Sequence, residues 1–370
     1  MPRTGPQKRR SNSSRVRKPN IKGVDLFCGA GGLTRGLEAT GIDVVAGIDI
    51  DPDCEYPYQA NNKARFLLKS VEHLAATDFP KAYGADGFKL LAGCAPCQPF
   101  STYQRGKSDP SDKRWNLLRH FARLVKEAKP DLVTMENVPR LAQERVFSNF
   151  VASLKRDGFH VSHAVVNCLD YGVPQHRQRL VLLASKLGPI EFISATTPAG
   201  RRRTVRDAIS RLPRLKAGGT SSADPLHQAC ELSSLNLKRV RASKPGGTWR
   251  DWSDHLVADC HKKKSGKTYP SVYGRMSWDE PAPTMTTQYY GFGNGRFGHP
   301  EQDRAISLRE GAILQSFPKS YKFVPNKAPI RRKSIGRLIG NAVPVNLGKA
   351  IGKSLVLHVQ QQVEAKKRTR

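Results

Sequence analysis

Short apolar runs separated by polar turns are the first pattern along the chain. Those with the length of buried strands lie at residues 24–27, 44–48, 90–93, 132–135, 161–166 and 180–184. Between them, residues 33–39 and 118–128 carry apolar side chains at helical spacing. Strands that alternate with helices predict a mostly parallel sheet with helices on both faces.

The pattern changes near residue 196. From there to residue 275 the sequence is rich in Gly, Ser, Pro, Arg and Lys and has weak periodicity, which indicates a second, irregular domain. A helical pattern returns at 308–315 and on both sides of 340–344. We therefore predict a Rossmann-like α/β fold plus a smaller irregular domain. Its divisions are a disordered basic arm at 1–22, a catalytic and cofactor-binding domain at 23–195, the irregular domain at 196–325, a return to the catalytic domain at 326–358 and a basic tail at 359–370.

Charge indicates the kind of partner. The chain of 370 residues has 62 Lys and Arg against 31 Asp and Glu, a formal net charge of +31. A field that positive attracts polyanions, and it favours nucleic acid over an anionic membrane surface. Residues 1–22 carry +8, residues 196–275 carry +11 and the last five residues carry +4. This distribution predicts a contact with the phosphates of a nucleic acid, made by the irregular domain and the two ends.

The lengths of the apolar runs and the number of cysteines argue against membrane proteins and disulfide-rich proteins. No apolar run reaches the roughly 18–20 residues that a membrane helix requires, so we expect a soluble, cytoplasmic protein without membrane segments. Seven cysteines, an odd number in a mid-sized chain, do not suggest a disulfide framework. The one close pair, Cys94 and Cys97, lacks a second pair at zinc spacing, and we predict no bound metal.

The segment after the first strand is a candidate cofactor site. A strand, the glycine-rich turn 28–32 and a helix allow the backbone to approach a ligand closely. Asp49 follows Gly29 by 20 residues, which suits an acid that accepts hydrogen bonds from a ribose. This spacing fits NAD and S-adenosylmethionine alike. Thr34 stands where the dinucleotide pattern has Gly, which argues against a dinucleotide.

Reactive side chains lie beside three further strands. Cys97 follows a strand directly, in a loop stiffened by two prolines, and ligands of such sheets bind beyond the carboxyl ends of the strands. Glu136 ends the next strand and would lie on the same edge. Arg177 and Arg179 precede another strand and share one face if extended. These residues predict a site for nucleophilic catalysis.

Six segments resemble, in order, the motifs of the DNA (cytosine-5)-methyltransferases of the prokaryotic single-module type. They are DLFCGAGG at 25–32, PCQ at 96–98, ENV at 136–138, QHRQR at 175–179, the late motif at 304–318 and GNAVP at 340–344. Each is short, but six in the right order are specific, and the resemblance runs from about residue 24 to residue 357. It implies a methyltransferase that uses S-adenosylmethionine, with residues 196–325 as its target-recognition domain.

The resemblance also implies which residues hold this cofactor. Asp49 would hold the ribose hydroxyls, and Ile50 would cover the adenine. Ser70 stands where the family usually has Asp, so its contact with the adenine amino group would be weaker. The other cofactor residues implied by position are Phe27, Ala30, Gly31, Gly32, Pro96, Leu117, Asn341, Ala342 and Val343.

The chemistry implied by the resemblance begins when the Cys97 thiolate adds to carbon 6 of cytosine. Carbon 5 then takes the methyl group, while Glu136 shares a proton with ring nitrogen 3 and Arg179 donates to oxygen 2. The sequence does not identify the base that removes the carbon 5 proton. Because the target must leave the base stack, we expect the loop 101–114 to close over it.

Within the irregular domain, the runs 201–203 and 262–264 are candidate phosphate contacts. Residues 284–287 and 289–293 are candidates for an approach to bases or backbone. Trp249 and Trp252 are expected in the core of this domain. The target sequence itself is not readable from these residues.

Other functions remain open at this level. The transfer-RNA branch of RNA cytosine-5 methyltransferases lacks a large recognition segment, whereas about 100 residues are available here. A non-catalytic DNA-binding module would not need the catalytic side chains. Amino-group methyltransferases carry an Asp/Asn/Ser-Pro-Pro-aromatic motif, which is absent. We expect a monomer that binds duplex DNA, is associated with the nucleoid and protects self DNA from a partner restriction endonuclease.

Overall fold

The computed structural model describes residues 19–84, 86–96 and 116–369. The strands in these ranges are β1 (Ile21–Leu26), β2 (Asp43–Asp49), β3 (Arg65–Leu68), β4 (Phe88–Gly93), β5 (Leu132–Asn137), β6 (His160–Asn167) and β7 (Gln178–Ser185). The helices are α1 (Gly32–Glu38), α2 (Glu55–Gln59), α3 (Asn116–Ala128), α4 (Arg145–Arg156), α5 (Val205–Ile209), α6 (Ser234–Ala242), α7 (Asp259–Lys262), α8 (Leu308–Leu314), α9 (Arg332–Asn341) and α10 (Val345–Arg368). None of these helices is long and apolar enough to cross a membrane.

The strands form one sheet in the order β3-β2-β1-β4-β5-β7-β6. The first five in this order are parallel to one another, and β7 is antiparallel to both β5 and β6. The predicted Rossmann-like, mostly parallel sheet is therefore confirmed. Its topology places the carboxyl ends of β1, β2, β4 and β5 and the amino end of β7 at one edge.

Alternating side chains of the strands build a core on each face of the sheet. Val133 and Met135 pack on one face with apolar residues of α3 and α4. Leu132 and Val181 pack on the other with residues of α1, α8, α9 and α10. Because both faces are covered, the strands read as short continuous apolar runs, which is why most of them were predictable.

Strand β3 was not predicted from the sequence. It has four residues, and Phe66 is its one buried side chain. Such a strand is too short to show an apolar run or an alternating pattern. It is identified by its parallel pairing with β2, in which Leu68 lies opposite Asp49.

Both predicted terminal segments extend too far into the fold. Ile21 is buried in β1, so residues 21 and 22 belong to the sheet rather than to the predicted arm 1–22. At the other end, α10 continues to Arg368 and buries Val359. Most of the predicted tail 359–370 is therefore helix. The apolar residues along one side of α10 pack against the main core as far as Val359, and the helix continues beyond them.

The segment 196–325 is irregular, as predicted, but only its middle has separate cores. Apolar residues of 205–226 and 276–323 join the same cluster as α1 and α10. A separate cluster contains Trp249, Trp252 and Leu256, each 6–7% exposed. The prediction that both tryptophans are core residues is confirmed. The domain limits at 196 and 325 remain proposals, since packing does not divide the chain there.

Candidate active site

The buried Glu136 and the half-buried Arg179 form an ion pair at the sheet edge where the parallel strands end. Glu136 is the fifth residue of β5 and is 3% exposed, and Arg179 is the second residue of β7. The antiparallel pairing of these strands puts the start of β7 beside the end of β5. Arg179 Nε therefore lies 2.9 Å from Glu136 Oε1.

The two oxygens of the Glu136 carboxylate are in different surroundings. Cys94 Sγ lies 2.9 Å from Oε2 and donates to it. Arg179 is close to Oε1, but its N–H is not directed at that oxygen, and no other donor of the described residues is. A buried polar atom without a directed partner costs free energy. Oε1 is thus suited to a donor supplied by a ligand.

Arg177 is buried between segments that are distant in the chain. Its terminal nitrogens donate to the carbonyl oxygens of Met285, Gly340 and Ala342 at 3.2–3.3 Å. Burial lowers the pKa of its guanidinium to about 9. These contacts join the residue before β7 to the irregular domain and to the GNAVP segment. The predicted catalytic role of Arg177 stays a prediction.

The predicted nucleophile Cys97 and the predicted closing loop 101–114 lie outside the described residues. The segment that leads to them is described as far as Pro96, which is exposed. Asn137 Nδ2 donates to Ala95 O at 2.9 Å. The ENV segment thus contacts the chain just before the nucleophile motif, a role for Asn137 that sequence reasoning missed.

The turn between β1 and α1 has an unusual backbone. Phe27, Gly29 and Gly31 have φ values of 57°, 53° and 84°, a left-handed region that strains a residue such as Phe27. A Cβ added at Gly29 would meet no atom of the described residues within 4 Å, so these residues leave open space beside Gly29. The Gly29 N–H donates to Asp49 Oδ2 at 2.9 Å, which joins the turn to the end of β2.

An acid and two exposed apolar side chains lie at neighbouring strand ends. Asp49 accepts from the N–H groups of Gly29 and Asp51, and burial raises its pKa. Ile50 is 69% exposed and Leu68 is 54% exposed. A carboxylate beside exposed apolar surface suits a nucleoside, whose sugar hydroxyls donate and whose base is flat and apolar. Leu68 was not predicted as a site residue, because β3, the strand that it ends, was not predicted from the sequence.

The three residues after Gly29 are buried against the protein. An added Cβ would lie 2.4 Å from Asn62 Nδ2 at Gly31, and 2.2 Å from Val343 O at Gly32. Gly32 thus allows α1 to approach the GNAVP segment closely, whereas Gly31 lies against Asn62 and the buried Ala30 accepts a hydrogen bond from the Tyr321 hydroxyl. A backbone contact between these residues and a cofactor stays a prediction.

The remaining predicted cofactor residues differ in exposure. Ser70 Oγ accepts from the N–H of Glu72 at 3.3 Å, so this hydroxyl is engaged in its own turn. None of the hydrogen bonds of the described residues connects the Ser70 side chain to the sheet edge at Asp49. The others are the half-buried Leu117 and Ala342 and the exposed Pro96 and Asn341.

Sequence reasoning also missed an ion-pair cluster between α9 and the turn after β2. Arg337 Nη1 lies 2.6 Å from Asp51 Oδ2, and its Nη2 lies 3.6 Å from Asp53 Oδ2. Ser334 Oγ donates to Asp53 as well. This cluster holds the helix before GNAVP against the residues that follow Asp49. The sequence signal for this cluster was the pair of acids that closely follows Asp49. The arginine that binds them lies near the other end of the chain, so the sequence did not show the pairing.

Comparison with known proteins gives a consistent result. The family model of the C-5 cytosine-specific DNA methylases matches residues 21–357. The chain is 51% identical to the Type II methylase M.HgiDII of Herpetosiphon aurantiacus, over 92% of this chain and 98% of that protein. It is 30% identical to the Type II methyltransferase M.Sau96I of Staphylococcus aureus, over 94% of this chain and 79% of that protein.

Solved structures share the fold. One is a putative DNA modification methyltransferase encoded within a prophage of Escherichia coli, with a TM-score of 0.69 and 22% identity over 91% of this chain and 98% of that one. Another is the Dnmt2 methyltransferase of Schizosaccharomyces pombe (S. pombe), with a TM-score of 0.58 and 18% identity over 92% of this chain and 99% of that one. At these identities the similarity is one of fold.

Proposed function

The chain belongs to the C-5 cytosine-specific DNA methylases, and from that premise we propose that it methylates carbon 5 of a flipped-out cytosine in a specific duplex DNA sequence through a covalent Cys97 adduct. The methyl donor in this proposal is S-adenosylmethionine. The observation that carries the proposal is the Glu136–Arg179 pair, which lies at the end of the strand beside the one that leads to Cys97.

The proposed reaction balances around the cytosine ring. The Cys97 thiolate forms a bond to carbon 6, and the ring electrons move toward nitrogen 3 and carbon 5. Carbon 5 would then form a bond to the methyl group that a bound sulfonium donor would supply, with a neutral thioether as the leaving group. A base then removes the proton from carbon 5, the carbon 6–sulfur bond breaks, and Cys97 leaves as a thiolate.

Two side chains of the described site fit the charge that this addition creates. Glu136 Oε1 is buried and has no directed donor among the described residues, so a proton carried on this oxygen can be shared with ring nitrogen 3 as the ring gains negative charge. Arg179 keeps a cation beside it, where oxygen 2 of the ring gains negative charge. In a buried setting such donors act more strongly than in water.

The end of β2 and the turn after β1 fit S-adenosylmethionine. Bound there, the cofactor supplies an electrophilic methyl group on a sulfonium. Asp49 would accept from the ribose hydroxyls, and the exposed Ile50 and Leu68 would cover the adenine. The open space beside Gly29 leaves room for the rest of the molecule. The charge of Asp49 also suits a cationic ligand.

We further propose that the protein is the methylating member of a Type II restriction-modification pair and acts as a monomer. The support is its 51% identity, over nearly its whole length, to a Type II methylase. The partner endonuclease would recognise the same DNA sequence. Bisulfite sequencing of DNA from an expressing host would identify that sequence.

The first test is Cys97→Ser. We expect the variant to bind duplex DNA but to transfer no labelled methyl group from S-adenosylmethionine, because a hydroxyl is a much weaker nucleophile than a thiolate at neutral pH. Cys260→Ser, which changes an exposed thiol, is the matched control. A duplex with 5-fluorocytosine at the target should trap the wild type as an adduct that survives a denaturing gel.

Two results would contradict the proposal. Undiminished transfer by Cys97→Ser would exclude Cys97 as the nucleophile. Transfer to transfer RNA but not to duplex DNA would favour the RNA methyltransferases that share the fold.

A further inference from the structure

Cys94 lies directly across from Glu136 at the end of two neighbouring parallel strands. The pairing of β4 with β5 ends with Gly93 opposite Met135. The next residue of β5 is Glu136, and the residue directly after the end of β4 is Cys94. Residues that are opposite each other on parallel strands project to the same face of the sheet. Cys94 continues this alignment by one residue, and its N–H still donates to Leu26 O of β1, so the thiol and the carboxylate meet at the sheet edge.

The contact that results is directional. Cys94 Sγ lies 2.9 Å from Glu136 Oε2. An ionised carboxylate has no hydrogen to give, so the thiol is the donor. A donor that directly follows a strand of the sheet holds one oxygen of the carboxylate in place, and hydrogen bonds to charged acceptors are stronger than neutral ones.

The orientation of a glutamate carboxylate needs such a partner. The last side-chain torsion of Glu is broad, with no sharp staggered minimum. Arg179 Nε is 2.9 Å from Oε1 but does not direct its N–H at that oxygen. Without the thiol, the carboxylate could therefore turn both oxygens toward the arginine, which has several donors.

We propose that Cys94 is a positioning residue for the methyl transfer. Its thiol holds Oε2 of Glu136 so that Oε1 stays directed at ring nitrogen 3 of the target cytosine. This role rests on the proposed function, because it acts on the step in which Glu136 shares a proton with the ring. Cys94 touches neither substrate nor cofactor in this role, and it also packs against the main core.

The test separates the hydrogen bond that the Cys94 thiol donates from the space that its side chain fills. Cys94→Ala keeps most of the packing and removes the donor, whereas Cys94→Ser keeps a donor. We expect Cys94→Ala to lower kcat about tenfold, the effect of losing one hydrogen bond to a charged group, with KM for DNA and for S-adenosylmethionine within about twofold of wild type. Cys94→Ser should recover most of the loss. Cys260→Ala, at an exposed thiol, is the control.

A double-mutant cycle shows whether the effect passes through Glu136. In a Glu136→Ala background there is no carboxylate to orient, so Cys94→Ala should cause no further loss in single-turnover methyl transfer. An equal tenfold loss in both backgrounds would assign Cys94 a purely structural role and overturn the proposal. Melting temperatures of all variants identify any that are misfolded.

The outcomes also distinguish this role from the function on which it rests. A wild type that transfers no methyl group and is not trapped by 5-fluorocytosine would contradict the proposed function and this role together. A wild type that is active and trapped, with a Cys94→Ala variant equally active, would overturn the role of Cys94 alone.

Discussion

Gly29 combines a left-handed backbone conformation with open space in which the proposed cofactor would fit. Its φ of 53° lies in the region that side chains rarely adopt, and the position of its missing Cβ is open. Its N–H already binds Asp49. An alanine here would therefore carry two separate penalties, one for the backbone and one for occupying the space next to the acid.

Gly29→Ala should weaken binding of S-adenosylmethionine about tenfold or more, because the methyl group intrudes into the proposed binding space. The backbone penalty alone should lower the free energy of unfolding by about 1–2 kcal/mol. Gly158→Ala is the matched control, since Gly158 has a φ of 84° and equally open space far from the sheet edge.

Titration calorimetry and denaturant unfolding of the two variants measure both quantities. Equal losses of stability with a binding defect only in Gly29→Ala would support the assigned site. Unchanged binding by Gly29→Ala would place the cofactor elsewhere.

The turn before α8 shows how a buried charge pair organises an element. Arg304 donates to both oxygens of Glu310 at 2.7 and 2.8 Å, and both residues are almost fully buried. Although burial opposes it, the contact with Arg304 lowers the pKa of Glu310 to about 2. The same carboxylate accepts from the N–H of Ser307 and so begins α8. The pair fixes where the irregular domain rejoins the main core.

His299 makes this turn sensitive to acid. Its Nδ1 accepts from the N–H groups of Glu301 and Gln302, and a protonated ring could not accept either bond. Burial lowers the pKa of His299 to about 4 from its ordinary value near 6.5. Between these values the unfolded chain binds a proton that the folded one does not, so stability is complete above pH 6.5 and is lost as the pH falls toward 4.

His299→Gln should therefore reduce the fall in unfolding free energy between pH 7 and pH 4 by roughly 3 kcal/mol at most. The measurement is denaturant unfolding across that range. His73→Gln, at an exposed histidine, should leave the fall unchanged. An identical pH dependence in His299→Gln and wild type would show that His299 is not the responsible group.

At the scale of the whole molecule, the excess positive charge is concentrated in the irregular stretch and near the two ends of the sequence. The irregular stretch 196–275 carries +11 of the net +31. Some of this charge is already paired within the protein, since Arg202 lies 2.5 Å from Asp170 and Lys262 lies 2.9 Å from Asp259. The exposed remainder suits contacts with phosphates, which position the duplex without reading its sequence.

Binding of duplex DNA should weaken linearly with the logarithm of salt concentration, with a slope of about 0.9 for each phosphate contact. Replacing the three lysines at 262–264 by glutamine should reduce that slope by as much as about 3, equally for target and non-target duplexes. The matched control replaces three lysines at the opposite edge of the sheet by glutamine, at Lys126, Lys129 and Lys155. Equal slopes for the wild type and the variant at 262–264 would exclude these lysines as phosphate contacts.

The sequence by itself determined the fold class, the order of the motifs and the residue types of the chemistry. Buried strands of a parallel sheet appear as short apolar runs, and the glycine-rich turn and the acid at Asp49 lie within a few residues of their strands. Cys97 and Glu136 were predicted for the same reason, since each follows or ends a strand. These are local signals, set by neighbouring residues.

Only the tertiary structure decided which of these residues touch. The reversed direction of β7 brings Arg179 to Glu136, the register of β4 and β5 brings Cys94 there, and Arg177 bonds to carbonyl groups far along the chain. Arg337 reaches Asp51 from the other end of the protein. Strand direction, register and such long-range contacts arise from packing of the whole chain, so no short stretch of sequence contains them.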